Sequence, residues 1–423
     1  MLTTRTLVAV LFLALAGAAF AQTTSQETPA PGSFHVLHMF TGGRDGGTSY
    51  AGLSIRAGNL FGTTWAGGNG YGTVFELKHS GSNWVVVPLY TFKGNAANDG
   101  AGPTARVIFG PDGALYGTTA NGGGSGCRAQ GAYDGCGTVF RLSPPPSACK
   151  SALCAWTETI LYRFTGENDG GYPGLGDLTF DQLGNLYGTT YNGGSDLGGV
   201  VFELTPSHGS WTEKVLYNFT DRGDGYAPMS GVIFDQAGNL YGTAGYTVYQ
   251  LQPSGPNWVE NTLYQLTEAS TDAGVIFDQS GNLFGATTFD LVEAGGAVFE
   301  LSPSGSGWTA KTLYGFPFGR NGGFGPTASL VMDAAGNLYG TTIADPGNDC
   351  QGGYGCGTVF KLSPNSDGTW SNTFLYEFTG GSDGANPYSN AVFDTSGNMY
   401  GTASAAGGSG HGSGYGVVWE ITP

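Results

Sequence analysis

Residues 232–244 read VIFDQAGNLYGTA, and this stretch decides the fold. An apolar run ends at Asp235, a turn follows, and a second apolar run opens at Leu240. Aspartate caps such turns and Gly-Asn tolerates positive φ, so the stretch is predicted to be a hairpin of two antiparallel strands. Its second half recurs as NLFGTT at 59–64, ALYGTT at 114–119, NLYGTT at 185–190 and NLYGTA at 239–244. It returns as NLFGAT at 282–287, NLYGTT at 337–342 and NMYGTA at 398–403. The seven copies are spaced by 43 to 71 residues, room for one four-stranded blade each.

Two further blocks follow each hairpin in order. One is GTVFEL at 72–77, GTVFRL at 137–142 and GTVFKL at 357–362. Glu76, Arg141, Glu203, Gln250, Glu300, Lys361 and Glu420 hold its polar slot, and that period-two alternation marks a strand with one buried face. The other is LYRFTG at 161–166, LYNFTD at 216–221 and LYEFTG at 375–380. Each repeat therefore supplies strands A (VIFD), B (NLYGTT), C (GTVFEL) and D (LYxFT), and no helical period appears after the first twenty residues. The glycine of NLYGTT is expected to let a neighbour's aromatic ring sit close, and the aromatic before it is expected to be core.

The first strand-like segment, FHVLHMFTG at 34–42, is of type D, and the last, GVVWEITP at 416–423, is of type C with no D after it. An open array would leave both edges bare. A ring pairs them. The predicted fold is all-β: a seven-bladed β-propeller of four-stranded antiparallel blades over 34–423, with the N-terminal strand closing the last blade.

Ahead of it, Arg5, the apolar run at 7–19 and Ala19-Phe20-Ala21 read as a secretory signal peptide over 1–21, with an uncleaved membrane anchor as the rival. Residues 22–33 read as a flexible lead-in. Six cysteines in an exported chain point to disulfides, and the local pairs are Cys127–Cys136, Cys149–Cys154 and Cys350–Cys356. A zinc site is disfavoured by irregular spacing and the lack of nearby histidine. Collagen is excluded because the 77 glycines follow no three-residue period, and 13% aromatic residues argue against disorder. A net charge of −17 argues against nucleic acid and anionic membranes, and leaves cations and neutral glycans open.

The D-x-x-G-N-L-Y-G-T-T hairpin, the G-T-V-F-[EKR]-L strand and the Asp-Gly loops together resemble the GloVer-type tandem repeat family of exported bacterial proteins. The resemblance covers nearly all of the chain after the leader. It implies a bacterial source and an outward-facing location, and it implies no particular reaction. Family members often carry a C-terminal surface anchor. This chain ends at Pro423 directly after strand C, so release rather than attachment is expected. The A–B hairpin is also similar to that of NHL-type propellers, by fold-level analogy alone.

Functional variation is expected on the face carrying the long D–A and B–C loops. Asp45, Asp99, Asp169, Asp224 and Asp383 each precede a glycine in the D–A loops, with Asp272-Ala273 and Asn321-Gly322 at the matching places of blades five and six. If turned to the channel they would make an acidic ring for Ca²⁺ or a cationic ligand; otherwise they only shape their turns. Trp65, Tyr71, Tyr133, Tyr191, Phe289, Tyr354 and Tyr415 in the B–C loops suit stacking on sugar rings, or else cover the blade ends. His35, His38, His79, His208 and His411 are scattered, and neither a zinc-protease motif nor a nucleophile elbow is present. GGSGHGSGYG at 407–416 lacks the lysine of a phosphate loop. The expected function is a secreted, monomeric, non-catalytic binding or scaffold module for a glycan or protein, without cofactor unless calcium binds. The alternative is an extracellular carbohydrate-active enzyme using channel carboxylates.

Overall fold

The 232–244 stretch forms the predicted hairpin. Strands Ile233–Phe234 and Leu240–Ala244 pair antiparallel. Asp235 closes the turn, accepting from the amides of Ala237 at 2.8 Å and Asn239 at 2.9 Å and from the Asn239 side chain at 2.7 Å. Gly238 takes φ 85° there, a conformation that strains residues with a Cβ. The computed structural model describes residues 32–81, 83–124, 127, 134–146, 155–266, 269–290, 294–305, 307–317, 323–344, 350, 355–405 and 414–423. The signal peptide expected over 1–21, residues 22–31 of the lead-in expected over 22–33, and the Cys149–Cys154 pairing lie outside them; Ser33, at the end of the lead-in, accepts from the Thr422 amide at 3.1 Å.

Seven four-stranded antiparallel sheets form the blades of a seven-bladed β-propeller. Blade one runs Ser54–Arg56, Asn59–Thr64, Thr73–Ser80 and Asn83–Thr91 from the axis outward, as strands A to D. Blade seven takes Val392–Phe393, Met399–Ala403 and Val417–Ile421 from the end of the chain and its D strand, Phe34–Met39, from the beginning. Phe34 pairs with Ile421 and Met39 with Val417, which closes the ring as expected.

Each hydrophobic core fills the gap between two neighbouring blades. Phe75 and Leu60 of blade one pack with Tyr400 and Val418 of blade seven, and Val139 of blade two packs with Phe202 of blade three. D-strand tryptophans peg these gaps: Trp84 meets Tyr400 of the preceding blade at 6.3 Å and Trp211 meets Tyr116 at 6.3 Å, both edge to face. The aromatic before the NLYGTT glycine is buried in six copies, as Tyr116, Tyr187 and Tyr241 are, and half-buried at Tyr339. The ring over the glycine itself belongs to strand C of the same blade, not to a neighbouring blade. Gly62 pairs with Phe75, and a Cβ on Gly62 would stand 2.6 Å from that ring.

In five of the seven copies the first threonine of NLYGTT joins blades. Thr63 donates to the Ala105 carbonyl, Thr189 to Ser230, Thr243 to Ala273, Thr341 to Ser389 and Thr402 to Ala51. Each acceptor lies on the next blade, just before its A strand. These buried bonds tie the segments that surround the axis.

Candidate functional site at the channel mouth

The D–A and B–C loops share one face, as expected. Bridges such as Gly47 to Ala66, Gly171 to Asn192 and Ala385 to Ala405 join them within a repeat. The segment before every A strand turns to the axis and lines a cavity of about 560 Å³. Three positions before the first buried residue of that strand stands one residue from each blade: Tyr50, Thr104, Leu175, Met229, Asp272, Thr327 and Tyr388. This ring forms the rim of the channel.

Its aromatic members converge. Tyr50 meets Tyr388 edge to face at 5.4 Å, and Trp65 meets Tyr50 at 6.5 Å. Burial, then the neighbouring Tyr388, pushes the Tyr50 phenol up. Burial, then Asp272, pushes the Tyr388 phenol up. Deeper in the channel Arg106 pairs with Asp177 at 2.9 Å, and the Arg106 amide donates to the same carboxylate at 2.9 Å, joining blades two and three. Gly274 donates likewise to the Ser329 hydroxyl at 2.9 Å, joining blades five and six. Asp272 is different. Burial pushes its carboxyl up against a hydrogen bond from Thr288, and no ion pair involving it occurs among the described residues.

Asp272 therefore does not match the Asp-Gly aspartates, as the sequence reading supposed. Val275 follows Leu266 by nine positions, whereas Leu53 follows Phe40 by thirteen. The blade-five loop is short, and Asp272 falls on the rim position instead. Counting back from the buried A-strand residue would have revealed this.

The other acids lie elsewhere. Asp99 accepts from the Tyr90 hydroxyl at 2.8 Å and the Lys93 amide at 2.9 Å. Asp169, Asp224 and Asp383 hold Tyr162, Tyr217 and Tyr376 of their D strands in the same way, at 3.0, 2.9 and 3.0 Å. Asp45 holds His38 at 3.0 Å and the Thr41 amide at 3.0 Å. Burial opposes ionisation of Asp224, but hydrogen bonds from Thr220, Tyr217 and Arg222 hold its carboxyl below the usual range. The lining of the channel includes none of these five. Among the described residues, no group of three His, Cys, Asp or Glu stands ready for a metal.

The B–C aromatics divide. Trp65 reaches the rim through Tyr50. Tyr71 instead packs its ring onto Gly94, and Tyr415 packs onto Gly42. Tyr191 is half-buried, and its amide donates to the Tyr172 carbonyl at 3.1 Å. Tyr133 and Tyr354 lie outside the described residues, as does the side chain of Phe289. Disulfides Cys127–Cys136 and Cys350–Cys356 are formed. They seat on Gly166 and Gly380, the places that Tyr71 and Tyr415 fill in other blades. Among the described residues no helix is long and apolar enough to cross a membrane.

A seven-bladed ring with a rim of loop residues defines a repeat propeller. This chain belongs to the Gloeobacter/Verrucomicrobia repeat family, whose model matches residues 14–247 and 244–423. No curated protein matches it. Among solved structures, a polysaccharide lyase of family PL25, an ulvan lyase, aligns at TM-score 0.51 with 10% identity, covering 89% of each chain. A putative 6-phosphogluconolactonase from Bacteroides uniformis aligns at 0.47 with 12% identity, over 77% of this chain and 83% of that one. The PQQ-bound aldose sugar dehydrogenase from Streptomyces coelicolor aligns at 0.42 with 13% identity, over 93% and 98%. Identities this low show a shared fold alone.

Proposed function

We propose that the protein is a secreted, non-catalytic binding propeller that takes a carbohydrate at its channel mouth. The observation that carries this reading is the Tyr50–Tyr388 pair lining the cavity, with Trp65 packed against Tyr50. Sugar rings stack their C–H faces on such side chains, and the cavity volume falls within the range of ordinary ligand sites. The apolar leader and the disulfides support export. Retention on an immobilised glycan panel tests the reading. Tyr50→Ala and Tyr388→Ala are expected to lower affinity for a retained glycan by about tenfold each, and unchanged affinity in both rejects the channel as the site.

A catalytic reading draws on Asp272 and Asp177, two carboxylates that line one cavity. Turnover of an oligosaccharide by the purified chain, abolished by Asp272→Asn, would replace the binding reading with this one.

A further inference from the structure

We infer that the channel mouth selects carbohydrates bearing a free ammonium group, with Asp272 as the residue that recognises the charge. This deepens the carbohydrate reading and rests on it. The rim holds seven side chains, and Asp272 alone among them carries a charge. The other charges lining the cavity, Arg106 and Asp177, neutralise each other across one blade interface. Among the described lining residues one carboxylate is thus left uncompensated, half-buried and on the same rim as Tyr50 and Tyr388. A desolvated carboxylate without a counter-charge is unfavourable, and an incoming ammonium removes that penalty. Tyr50 and Tyr388 supply rings on the same rim, and aromatic rings attract cations as well as sugar C–H groups. Asp272 and Tyr388 both line the one cavity, so a ligand that fills it meets both. The net charge of −17 adds long-range attraction for a cationic glycan.

The test is calorimetric titration of the mature chain at about pH 6, where a sugar amine is protonated. The probes are a glucosamine trimer, its N-acetylated counterpart and cellotriose. The amine trimer is expected to bind at least about tenfold more tightly than either uncharged probe, because a charge-assisted hydrogen bond is worth that much or more. Asp272→Asn is expected to erase the difference while leaving the weaker binding of the uncharged trimers in place. Equal affinity for the three probes, or a preference that survives Asp272→Asn, overturns the inference. If none of the three binds while another glycan does so through Tyr50 and Tyr388, the inference falls and the carbohydrate reading stands. If no glycan responds to the tyrosine variants, both fall.

Discussion

The Thr402 hydroxyl donates to the Ala51 carbonyl at 2.9 Å, joining residues 351 positions apart. The same bond recurs from Thr63, Thr189, Thr243 and Thr341, so the last blade meets the first as four other pairs meet. Thr118 occupies the matching place in blade two, but its buried hydroxyl has no partner. Thr402→Val is expected to cost about 1–3 kcal/mol, because a buried carbonyl loses its donor. Thr118→Val is expected to be neutral or slightly stabilising. Denaturant unfolding of the two variants side by side checks the contrast.

Gly401 stands under the Trp419 ring, as Gly62 stands under Phe75. An alanine there forces an aromatic side chain off its site. Gly62→Ala is expected to lose about 1–3 kcal/mol by overpacking. Gly209, with open space around its missing Cβ, loses only what its φ of 89° demands. Trimming the ring with Phe75→Leu should recover part of the Gly62→Ala loss, measured as a rise in Tm.

Three carboxyls sit at equivalent D-strand positions: Glu158 opposite Leu142, Glu213 opposite Leu204 and Glu260 opposite Leu251. Burial and the nearby Asp99 push Glu158 up to about 7, against Arg163 and Lys93. Burial and Asp169 push Glu213 up to about 7. Burial also raises Glu260, opposed by Thr262 and aided by Asp224. A carboxyl raised in the folded state binds its proton more tightly there than in the unfolded chain. Its stabilisation is complete below the unfolded value near 4.5 and is lost as pH rises through about 7. Tm should therefore fall from about pH 5 to about pH 8. The variant carrying Glu158→Gln and Glu213→Gln should show most of that fall removed; an unchanged slope would contradict the assignment.

The two described disulfides close short spans of 9 and 6 residues. Loop-closure entropy assigns about 2–3 kcal/mol to each. Cys350→Ser with Cys356→Ser should lower stability by about that amount and loosen the loop over Gly380. Because Tyr415 does the same packing in blade seven, Cys350→Ser with Cys356→Tyr should restore part of the loss. Thermal unfolding of the two double variants compares them directly.

The seven-fold repeat, the hairpin turns and the closing strand were legible because each is written locally, in apolar alternation and turn residues. The rim was not. Asp272 sits beside an alanine and looks like another Asp-Gly turn, and only its distance from the buried Val275 assigns it to the axis. The Asp45 set was legible as turn chemistry, but the tyrosine partners Tyr90, Tyr162, Tyr217 and Tyr376 come from the preceding strand, outside the motif that drew attention to the acids. Trp65 and Tyr71 share a loop in sequence, yet one reaches the rim and the other folds back on Gly94.

The pairing of Phe34 with Ile421 sets the order of events during biosynthesis. The first strand of the ring to emerge waits with an unsatisfied edge until nearly four hundred later residues have followed it. Throughout that interval it is open to mispairing with other chains, so a chaperone that shields residues 34–39 before release would raise the yield of native protein.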